Sequence, residues 1–365
     1  MNGPVKVGII GAGKVTDLYL PSLAQFPDVE VTIIGDPNLA LAQERAAAFG
    51  VPASGSPDDV LASDVEVVLN LTPPAFHAEV GHKILDAGKR LYSEKPLATS
   101  SADGRALLDH ARAAGLVVAC APDITLNSSF QHALRHLADG TIGRPVFARC
   151  EAILAGPEAW HPRPQFLYAA GAGPLFDIGP YFLTALVAAL GPITRVDARG
   201  TKKSETRVVG SGPSAGEVFP VEVPTLVNAI VEFTSGLTAH LLLTFDSASH
   251  RGGRMEVFGT EGTLQVPDPN GGASDSALLP GGSSEWIALP ELTGRVGFGL
   301  GVVNLARHLR GHEALVVEGT RALHVLDLMT AISESAESGF PVSLTTDYVS
   351  SPTLAEDWDP TVATV

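Results

Sequence analysis

The first 120 residues alternate strand-like and helix-like segments, and this alternation constrains the fold more than any other feature of the sequence. Val5–Ile10, Val29–Ile34 and Val65–Leu71 are rich in β-branched and other apolar residues, as strands covered on both faces are. Leu39–Phe49 and Ala102–Ala114 have the composition of helices, and a glycine follows each of them. Strands that alternate with helices of this length predict an α/β fold with a doubly wound parallel sheet.

The pattern changes after residue 122. Longer β segments flank Thr234–Gly236 and Gly259–Gly262, which are typical of hairpin turns. This half of the chain is predicted to be an α+β domain with an open, largely antiparallel sheet. For 365 residues, about 150 residues per domain gives two domains. We expect them at 1–122 and 123–350, with a tail at 351–365.

Charge and composition exclude several classes of protein. The chain has 24 Lys and Arg against 40 Asp and Glu, a formal charge of −16, which disfavours binding to nucleic acid or to an anionic membrane. Two cysteines are too few for a disulfide scaffold or a four-cysteine zinc site, and we expect no metal. No secretory signal is visible, and the apolar run Phe182–Leu190 is shorter than the ~20 residues of a membrane span. We therefore expect a cytoplasmic protein.

A glycine-rich turn follows the first strand and precedes a helix. Gly11 allows the tight turn, and Gly13 allows a pyrophosphate to approach the backbone of Lys14 and Val15 at the helix N-terminus. Asp36 ends the second strand, where a carboxylate accepts the ribose hydroxyls of NAD and repels the 2′-phosphate of NADP. The first domain is therefore predicted to be a Rossmann domain that binds NAD in preference to NADP.

Polar side chains also follow the next two strands, at the edge of the sheet where doubly wound folds bind ligands. Thr72 is predicted to contact the cofactor, and His77 either does the same or simply begins its helix. Glu94 and Lys95 end the strand after that and are also predicted to contact the cofactor. They form either a surface ion pair or a site in which Lys95 holds a substrate hydroxyl and lowers its pKa.

A second glycine-rich loop, at residues 171–173, leads into a helix. Asp177, Tyr181 and Thr184 follow at spacings of four and three, which place their side chains on one helical face. An aspartate near a helix start is also a common cap, so the spacing alone is compatible with a structural role.

Together, these segments resemble the Gfo/Idh/MocA family, which includes glucose–fructose oxidoreductase and inositol dehydrogenases. The resemblance covers nearly the whole chain and rests on four segments: the Gly11/Gly13 loop, Glu94–Pro96, Asp177–Gly179 and Phe258–Gly262. It implies an N-terminal Rossmann domain, a C-terminal domain whose open sheet forms a homodimer or homotetramer, and hydride transfer between nicotinamide and a sugar or polyol carbon.

The resemblance also assigns roles to individual residues. It implies that Lys95 is catalytic and that Asp177 is the family's motif aspartate. The family's usual histidine is Tyr181 here, and its later aspartate is Thr184. An imidazole, with a pKa of about 6.5, accepts a proton at neutral pH, whereas an unperturbed phenol, at about 10, does not. Either Lys95 stabilises the Tyr181 phenolate, or Lys95 or a water relay takes the proton, or Tyr181 only donates a hydrogen bond.

Thr184 and three further residues are candidates for contacting the substrate. Asp123 and Asn127 follow the last strand of the first domain, and His161 precedes the second glycine-rich loop, where it is placed to supply the missing imidazole.

The sequence thus predicts an NAD-dependent dehydrogenase that oxidises a secondary hydroxyl of a sugar, inositol or polyol. Two alternatives stay open: a glycosidase that uses bound NAD for transient oxidation, and a dinucleotide-binding redox sensor. The intact Lys95 and Asp177 argue against a sensor, which needs neither residue.

Overall fold

The computed structural model describes residues 3–270, 276–289 and 297–365. It divides into two compact units, each built from more than one segment of the chain. The first unit comprises residues 1–128, 294–326 and 351–365, and the second comprises residues 129–293 and 327–350.

The first unit contains a six-stranded sheet in the order β3-β2-β1-β4-β5-β6, and every neighbouring pair is parallel. This is the predicted doubly wound sheet. The change of direction lies between β1 and β4, which is where such folds bind ligands. Its strands are β1 (Val5–Ile10), β2 (Val29–Gly35), β3 (Ala53–Gly55), β4 (Val67–Asn70), β5 (Arg90–Ser93) and β6 (Val118–Cys120).

Helices follow the strands of this sheet, and local signals fix several of their ends. Asn38 caps α2, Ser100 caps α5, and each of these two helices ends at a glycine in the left-handed conformation. The helices up to β6 are α1 (Thr16–Leu23), α2 (Leu39–Phe49), α3 (Pro57–Ala62), α4 (His77–Asp86) and α5 (Ser101–Ala114).

Two apolar clusters fill the first unit. One contains Val5, Val7 and Ile9 of β1, and the other contains Ile10 of β1 with Val68 of β4. Side chains alternate between the faces of a strand, so the clusters lie on opposite faces of the sheet. Both faces are therefore covered, which explains the apolar character of these strands.

Two late segments of the chain contribute to the first unit. Leu300, Val303 and Leu305 lie in the same cluster as Val5, and Leu354 joins them. The contacts thus place residues 297–326 and 351–365 with the first unit, where Leu300 and Leu354 help to complete its core. The division of the chain into domains at 1–122 and 123–350, with a tail at 351–365, stays a prediction.

The second unit is built on a nine-stranded sheet in the order β16-β15-β14-β13-β7-β12-β11-β8-β17. β7 and β12 are parallel, and the other neighbouring pairs are antiparallel, as predicted. The strands are β7 (Pro145–Ile153), β8 (Ile193–Thr201), β11 (Leu226–Phe233), β12 (Thr238–Thr244), β13 (Gly252–Gly259), β14 (Gly262–Val266), β15 (Ala277–Pro280), β16 (Ile287–Ala288) and β17 (Val342–Ser343), with β9 (Thr206–Val208) and β10 (Val218–Pro220) forming a separate pair.

The remaining helices are α6 (Ser128–Ala138), α7 (Gly173–Asp177), α8 (Gly179–Leu190), α9 (Leu300–Leu309) and α10 (Gly319–Ser338). The eight residues of α8 from Gly179 to Val187 other than Tyr181 are buried. No helix in the described ranges is both long and apolar enough to cross a membrane.

Candidate active site

The turn after β1 has the geometry that a dinucleotide requires. Gly11 has a φ of +105°, and a Cβ there would lie 2.7 Å from the carbonyl of Leu71, so only glycine fits. A Cβ on Gly13 would have no heavy atom within 4 Å. Gly13, Lys14 and Val15 are exposed and lead directly into α1. The space above this loop is open to a ligand, as a pyrophosphate site requires.

The third position of the turn, usually glycine or alanine, is occupied by Thr16. Its side chain is fully buried, and its hydroxyl donates a 2.6 Å hydrogen bond to the carbonyl of Gly13. Thr16 therefore stabilises the conformation of the loop. Because its side chain is buried, it does not occupy the open space beside Gly13 that a pyrophosphate would fill.

Asp36 lies at the end of β2, as predicted, and touches the glycine loop. Its Oδ2 accepts a 2.9 Å hydrogen bond from the backbone N–H of Ala12, and its Oδ1 accepts one of 2.8 Å from Asn38. A carboxylate offers about four lone-pair sites, so Asp36 retains acceptors for two ribose hydroxyls. The residues present fit an NAD molecule: an open glycine turn, a helix N-terminus and an acceptor for the ribose.

The loops that follow β4 and β5 are joined by hydrogen bonds. The Asn70 side chain is fully buried, and its Oδ1 accepts bonds from both the N–H (3.2 Å) and the hydroxyl (2.6 Å) of Thr72. Its amide donates to the carbonyl of His77, at 3.1 Å. Thr72 is thus fixed at the edge of the sheet predicted to hold the cofactor.

His77 begins α4 and is 1% exposed. Its Nδ1 lies 2.6 Å from the carbonyl oxygen of Pro96, and its Nε2 lies 2.8 Å from that of Thr72. Both ring nitrogens face protein carbonyls, so a direct contact between His77 and the cofactor stays a prediction that these bonds do not support.

Glu94 is also engaged within the protein. Its Oε1 accepts a 2.6 Å bond from the buried hydroxyl of Tyr19, and its Oε2 accepts a 2.9 Å bond from the backbone N–H of Lys95. Burial and the neighbouring Glu94 charge raise the pKa of Tyr19 well above its usual value, which keeps the phenol a donor at neutral pH. Tyr19, which the sequence analysis missed, lies 75 residues from Glu94, and no spacing signal links the two.

Asp123 has a structural partner that the sequence did not predict. Its Oδ2 accepts 3.0 Å hydrogen bonds from the N–H groups of both Gly299 and Gly301, at the start of α9. Burial raises the pKa of Asp123, and these two bonds oppose that effect. Asp123 therefore acts as a remote cap for α9. Asn127 ends the 3-10 turn Ile124–Leu126 and is half-buried. For both residues, a substrate contact stays a prediction.

The helix that carries Asp177, Tyr181 and Thr184 is interrupted. α7 ends at Asp177 and α8 begins at Gly179, with Pro180 in the first turn of α8. The predicted helix is therefore interrupted between Asp177 and Tyr181, and the position of the three side chains on one helical face stays a prediction. Asp177 and Tyr181 are half-buried, whereas Thr184 is 2% exposed and lies among the core residues of α8.

His161 lies between two exposed aromatic rings. Its ring centroid is 5.5 Å from that of Trp160 and 5.4 Å from that of Phe166, and these two side chains are 67% and 60% exposed. Its Nδ1 accepts a 3.0 Å hydrogen bond from the N–H of Arg163, so the proton of the neutral ring is on Nε2. In this arrangement the Nδ1 of His161 is engaged by the backbone, and its role as the missing imidazole stays a prediction.

A buried ion cluster, which the sequence analysis missed, fixes the segment from Glu158 to Tyr168, which precedes Asp177. The guanidinium of Arg207 pairs with Glu158 at 2.6 Å and with Asp246, and it lies over the ring of Tyr168 at 5.6 Å. The hydroxyl of Tyr168 donates to Glu158, and burial raises the pKa of this phenol. Thr225 donates to Asp246 at 2.7 Å. Arg207 is 49 residues from Glu158 and 39 from Asp246, so no local pattern signals the cluster.

No metal centre emerges among the described residues, since no group of three or more His, Cys, Asp or Glu side chains there could hold an ion.

Comparison with known proteins gives the same assignment to both halves of the chain. Residues 5–121 match the model of the oxidoreductase family with an NAD-binding Rossmann fold, and residues 130–265 match the GFO/IDH/MocA C-terminal domain. The first domain is therefore an NAD-binding Rossmann domain, as the glycine loop and Asp36 predict.

Individual relatives agree. The chain is 30% identical to dTDP-3,4-didehydro-2,6-dideoxy-alpha-D-glucose 3-reductase from Streptomyces violaceoruber, over 72% of each chain. It is 22% identical to scyllo-inositol 2-dehydrogenase (NAD(+)) from Bacillus subtilis, over 94% of this chain and 97% of the relative. Levoglucosan dehydrogenase, in complex with NADH and L-sorbose, has the same fold, with a TM-score of 0.82, 20% identity, and coverage of 94% of this chain and all of the other. The chain belongs to the Gfo/Idh/MocA family of oxidoreductases.

Proposed function

We propose that the protein oxidises a secondary hydroxyl group of a sugar, inositol or polyol, with NAD as the hydride acceptor. One observation carries the proposal: the strand-end loop that presents Lys95 is fixed by hydrogen bonds at the same sheet edge as the open glycine turn. The relatives, which by name are dehydrogenases and reductases of sugars and inositols, support this class of substrate.

The first unit supplies the cofactor contacts in this proposal. The backbone at Gly11, Gly13, Lys14 and Val15 holds the pyrophosphate, and Asp36 accepts the ribose hydroxyls. Thr72 contacts the cofactor at the end of β4. His77 and Glu94 support the cofactor site indirectly. The ring of His77 bonds to the main chain of Pro96, and the carboxylate of Glu94 bonds to that of Lys95.

Lys95, Asp177 and Tyr181 handle the reacting hydroxyl. Lys95, in its uncharged amine form, binds the hydroxyl group and accepts its proton as the hydride leaves the same carbon, so the alcohol becomes a ketone and the amine becomes an ammonium ion. Asp177 accepts a hydrogen bond from a neighbouring hydroxyl group. Tyr181 donates a hydrogen bond to the substrate, in the position where the family usually has histidine. We assign Asp123, Asn127, His161 and Thr184 no chemical step.

The test is a cofactor-reduction screen with inositols, aldoses, polyols and glycosides, using NAD and NADP, and with Lys95→Met beside the natural protein. We expect one class of polyhydroxylated compound to reduce NAD. We expect Lys95→Met to lower kcat by a factor of about 10²–10⁴, because it removes a group that transfers a proton.

NADH binding, followed by fluorescence, serves as the control in this screen and is expected to survive the substitution. Full activity of Lys95→Met would exclude the role given to Lys95. If the natural protein reduces no cofactor with any compound but still binds NADH, the result would instead favour the NAD-assisted glycosidase or the redox sensor. A release assay for free sugar separates these two.

We further propose a homodimer or homotetramer that works in the cytoplasm. One face of the nine-stranded sheet supports the oligomer, because Phe147 and Ile230 are 45% and 55% exposed there. The ring of Phe147 also stacks on that of Phe258, with 4.2 Å between the ring centroids. Light scattering after size-exclusion chromatography measures the assembly, and a monomer would contradict it. Two buried free cysteines and the use of NAD support the cytoplasmic location.

A further inference from the structure

We propose that His77 is a positioning residue for Lys95. By bonding to the carbonyl of Pro96, its ring fixes the loop that presents the Lys95 side chain. The catalytic part of this inference rests on the proposed function, whereas the structural part does not.

Two backbone carbonyls contact the ring nitrogens of His77. The ring is 1% exposed and spans two loops, from the Thr72 carbonyl after β4 to the Pro96 carbonyl after β5. Both partners are acceptors, so each bond needs a proton on the histidine nitrogen that faces it. A neutral ring donates from one nitrogen and a protonated ring donates from both. In either form, the loss of the ring leaves a partly buried carbonyl without its donor, which is costly.

The main chain on the other side of Lys95 is held as well. The N–H of Lys95 donates to Glu94 Oε2, and Tyr19 orients that carboxylate through Oε1. The N–H of Glu94 donates to the carbonyl of Asn70, at 3.0 Å. The backbone is therefore fixed immediately before Lys95 by Glu94 and immediately after it by His77.

Asn70 completes the connection. Its side-chain amide donates to the carbonyl of His77 and so fixes the start of α4, while its Oδ1 holds Thr72. His77 thus joins two loops whose relative position is already set at β4. Since a displacement of about 1 Å at a reacting group costs a factor of about 10² in rate, a fixed backbone at Lys95 has a direct effect on catalysis.

The first experiment measures the loop itself, by amide hydrogen exchange and mass spectrometry. His77→Phe keeps a ring of similar size and removes both nitrogens, whereas His77→Gln keeps a donor. His82→Phe is the matched control, because His82 lies on the same helix and stacks on His110 at 5.1 Å, away from both loops. We expect exchange in residues 94–98 to be at least tenfold faster in His77→Phe, less so in His77→Gln, and unchanged in His82→Phe. Unchanged exchange in His77→Phe would overturn the inference.

The second experiment asks whether the effect acts through Lys95. We expect His77→Phe to lower kcat 10- to 100-fold, with the Kd for NADH within threefold of the natural value, and His77→Gln to recover part of the loss. In a double-mutant cycle, His77→Phe should cost little in a protein that already carries Lys95→Met. Equal losses in both backgrounds, or a parallel loss of NADH binding, would show that His77 does not act through Lys95.

Two further outcomes are decided by the same design. If His77→Phe is not recovered as folded protein, His77→Gln is compared with His82→Gln in both experiments, with the same expectations at smaller size. If the natural protein oxidises no substrate, the proposed function fails, and the exchange experiment still decides whether His77 fixes the loop.

Discussion

The two regions that carry the proposed catalytic residues are held by different forces. The loop of Lys95 is fixed by hydrogen bonds to individual backbone atoms: the N–H of Lys95 donates to Glu94, and the carbonyl of Pro96 bonds to the ring of His77. The segment before Asp177 is fixed by buried charges, in which Arg207 is paired with two carboxylates. The first region is held by bonds to backbone groups, whereas the second depends on the mutual compensation of buried charges.

This difference predicts different consequences of mutation. A bond to one backbone atom sets the position of one residue, so its loss changes geometry more than stability. A buried cation between two carboxylates stabilises a whole segment, because its removal leaves two uncompensated charges. We therefore expect substitutions in the ion cluster to act mainly on folding and substitutions near the cofactor loops to act mainly on activity.

The largest expected effect on stability is that of Arg207→Met. It leaves Glu158 and Asp246 without their cationic partner, and the side chains of all three residues are no more than 16% exposed. We expect the free energy of unfolding to fall by about 3–5 kcal/mol, the usual result of breaking a buried pair. Urea denaturation followed by tryptophan fluorescence and circular dichroism measures the change.

Arg199→Met is the matched control for this prediction. Arg199 pairs with Asp197 on β8, but the two side chains are 61% and 51% exposed. Exposed pairs contribute about 0–1 kcal/mol, so the control should unfold nearly as the natural protein does. Similar losses in both variants would mean that the cluster around Arg207 stabilises the segment no more than a surface pair.

The cofactor loops of the first unit show what could be predicted from the sequence. The glycine turn, Asp36 and the strand ends that carry Thr72 and Lys95 follow from local patterns: apolar runs, a turn that needs glycine, and polar residues where strands stop. The structure has β1 at Val5–Ile10 and α2 at Leu39–Phe49, the predicted bounds. These signals act between near neighbours in the chain.

Long-range contacts could not be predicted in this way. The cap that Asp123 gives to α9 joins residues 176 and 178 positions apart, and the bond from Arg307 to Asp28 joins residues 279 apart. The short elements β3 and α3 were also missed, since three and six residues give too little periodicity to recognise. The bond between Glu94 and Tyr19, 75 residues apart, is of the same kind, whereas His77 bonds to Pro96, 19 residues away, through a loop contact that no periodic pattern signals.

The next prediction concerns the cofactor contact made by a side chain of the first unit. Asp36→Ser removes the charge that opposes a 2′-phosphate while keeping a short polar side chain beside Ala12. We expect the ratio of kcat/KM for NAD to that for NADP to fall by a factor of about 10–100, the equivalent of about 1.4–2.7 kcal/mol. Steady-state kinetics with both cofactors gives this ratio.

Asp64→Asn removes the same charge from an exposed position, where Asp64 pairs with Lys6. It should leave the ratio as it is. If Asp36→Ser also leaves the ratio unchanged, Asp36 serves only the backbone of Ala12 and Asn38, and the preference for NAD has another source.

The smallest expected effect separates the possible roles of Tyr181, at the start of α8. If Lys95 accepts the proton and Tyr181 only donates a hydrogen bond, Tyr181→Phe lowers kcat/KM about tenfold, the equivalent of one lost hydrogen bond of about 1–1.5 kcal/mol. The dependence of kcat/KM on pH then keeps its shape, because the group that accepts the proton is still present.

A loss of about 10²-fold or more in Tyr181→Phe, together with a changed pH profile, would instead make Tyr181 the proton acceptor. Tyr181→His distinguishes the two roles a second time. An imidazole accepts protons at neutral pH, so it should raise activity above that of Tyr181→Phe only if this position transfers the proton. If Lys95 has that role, Tyr181→His and Tyr181→Phe should have similar rates. The two regions then differ in chemistry as well: the Lys95 loop, fixed by backbone bonds, transfers the proton, and the segment fixed by buried charges binds the substrate.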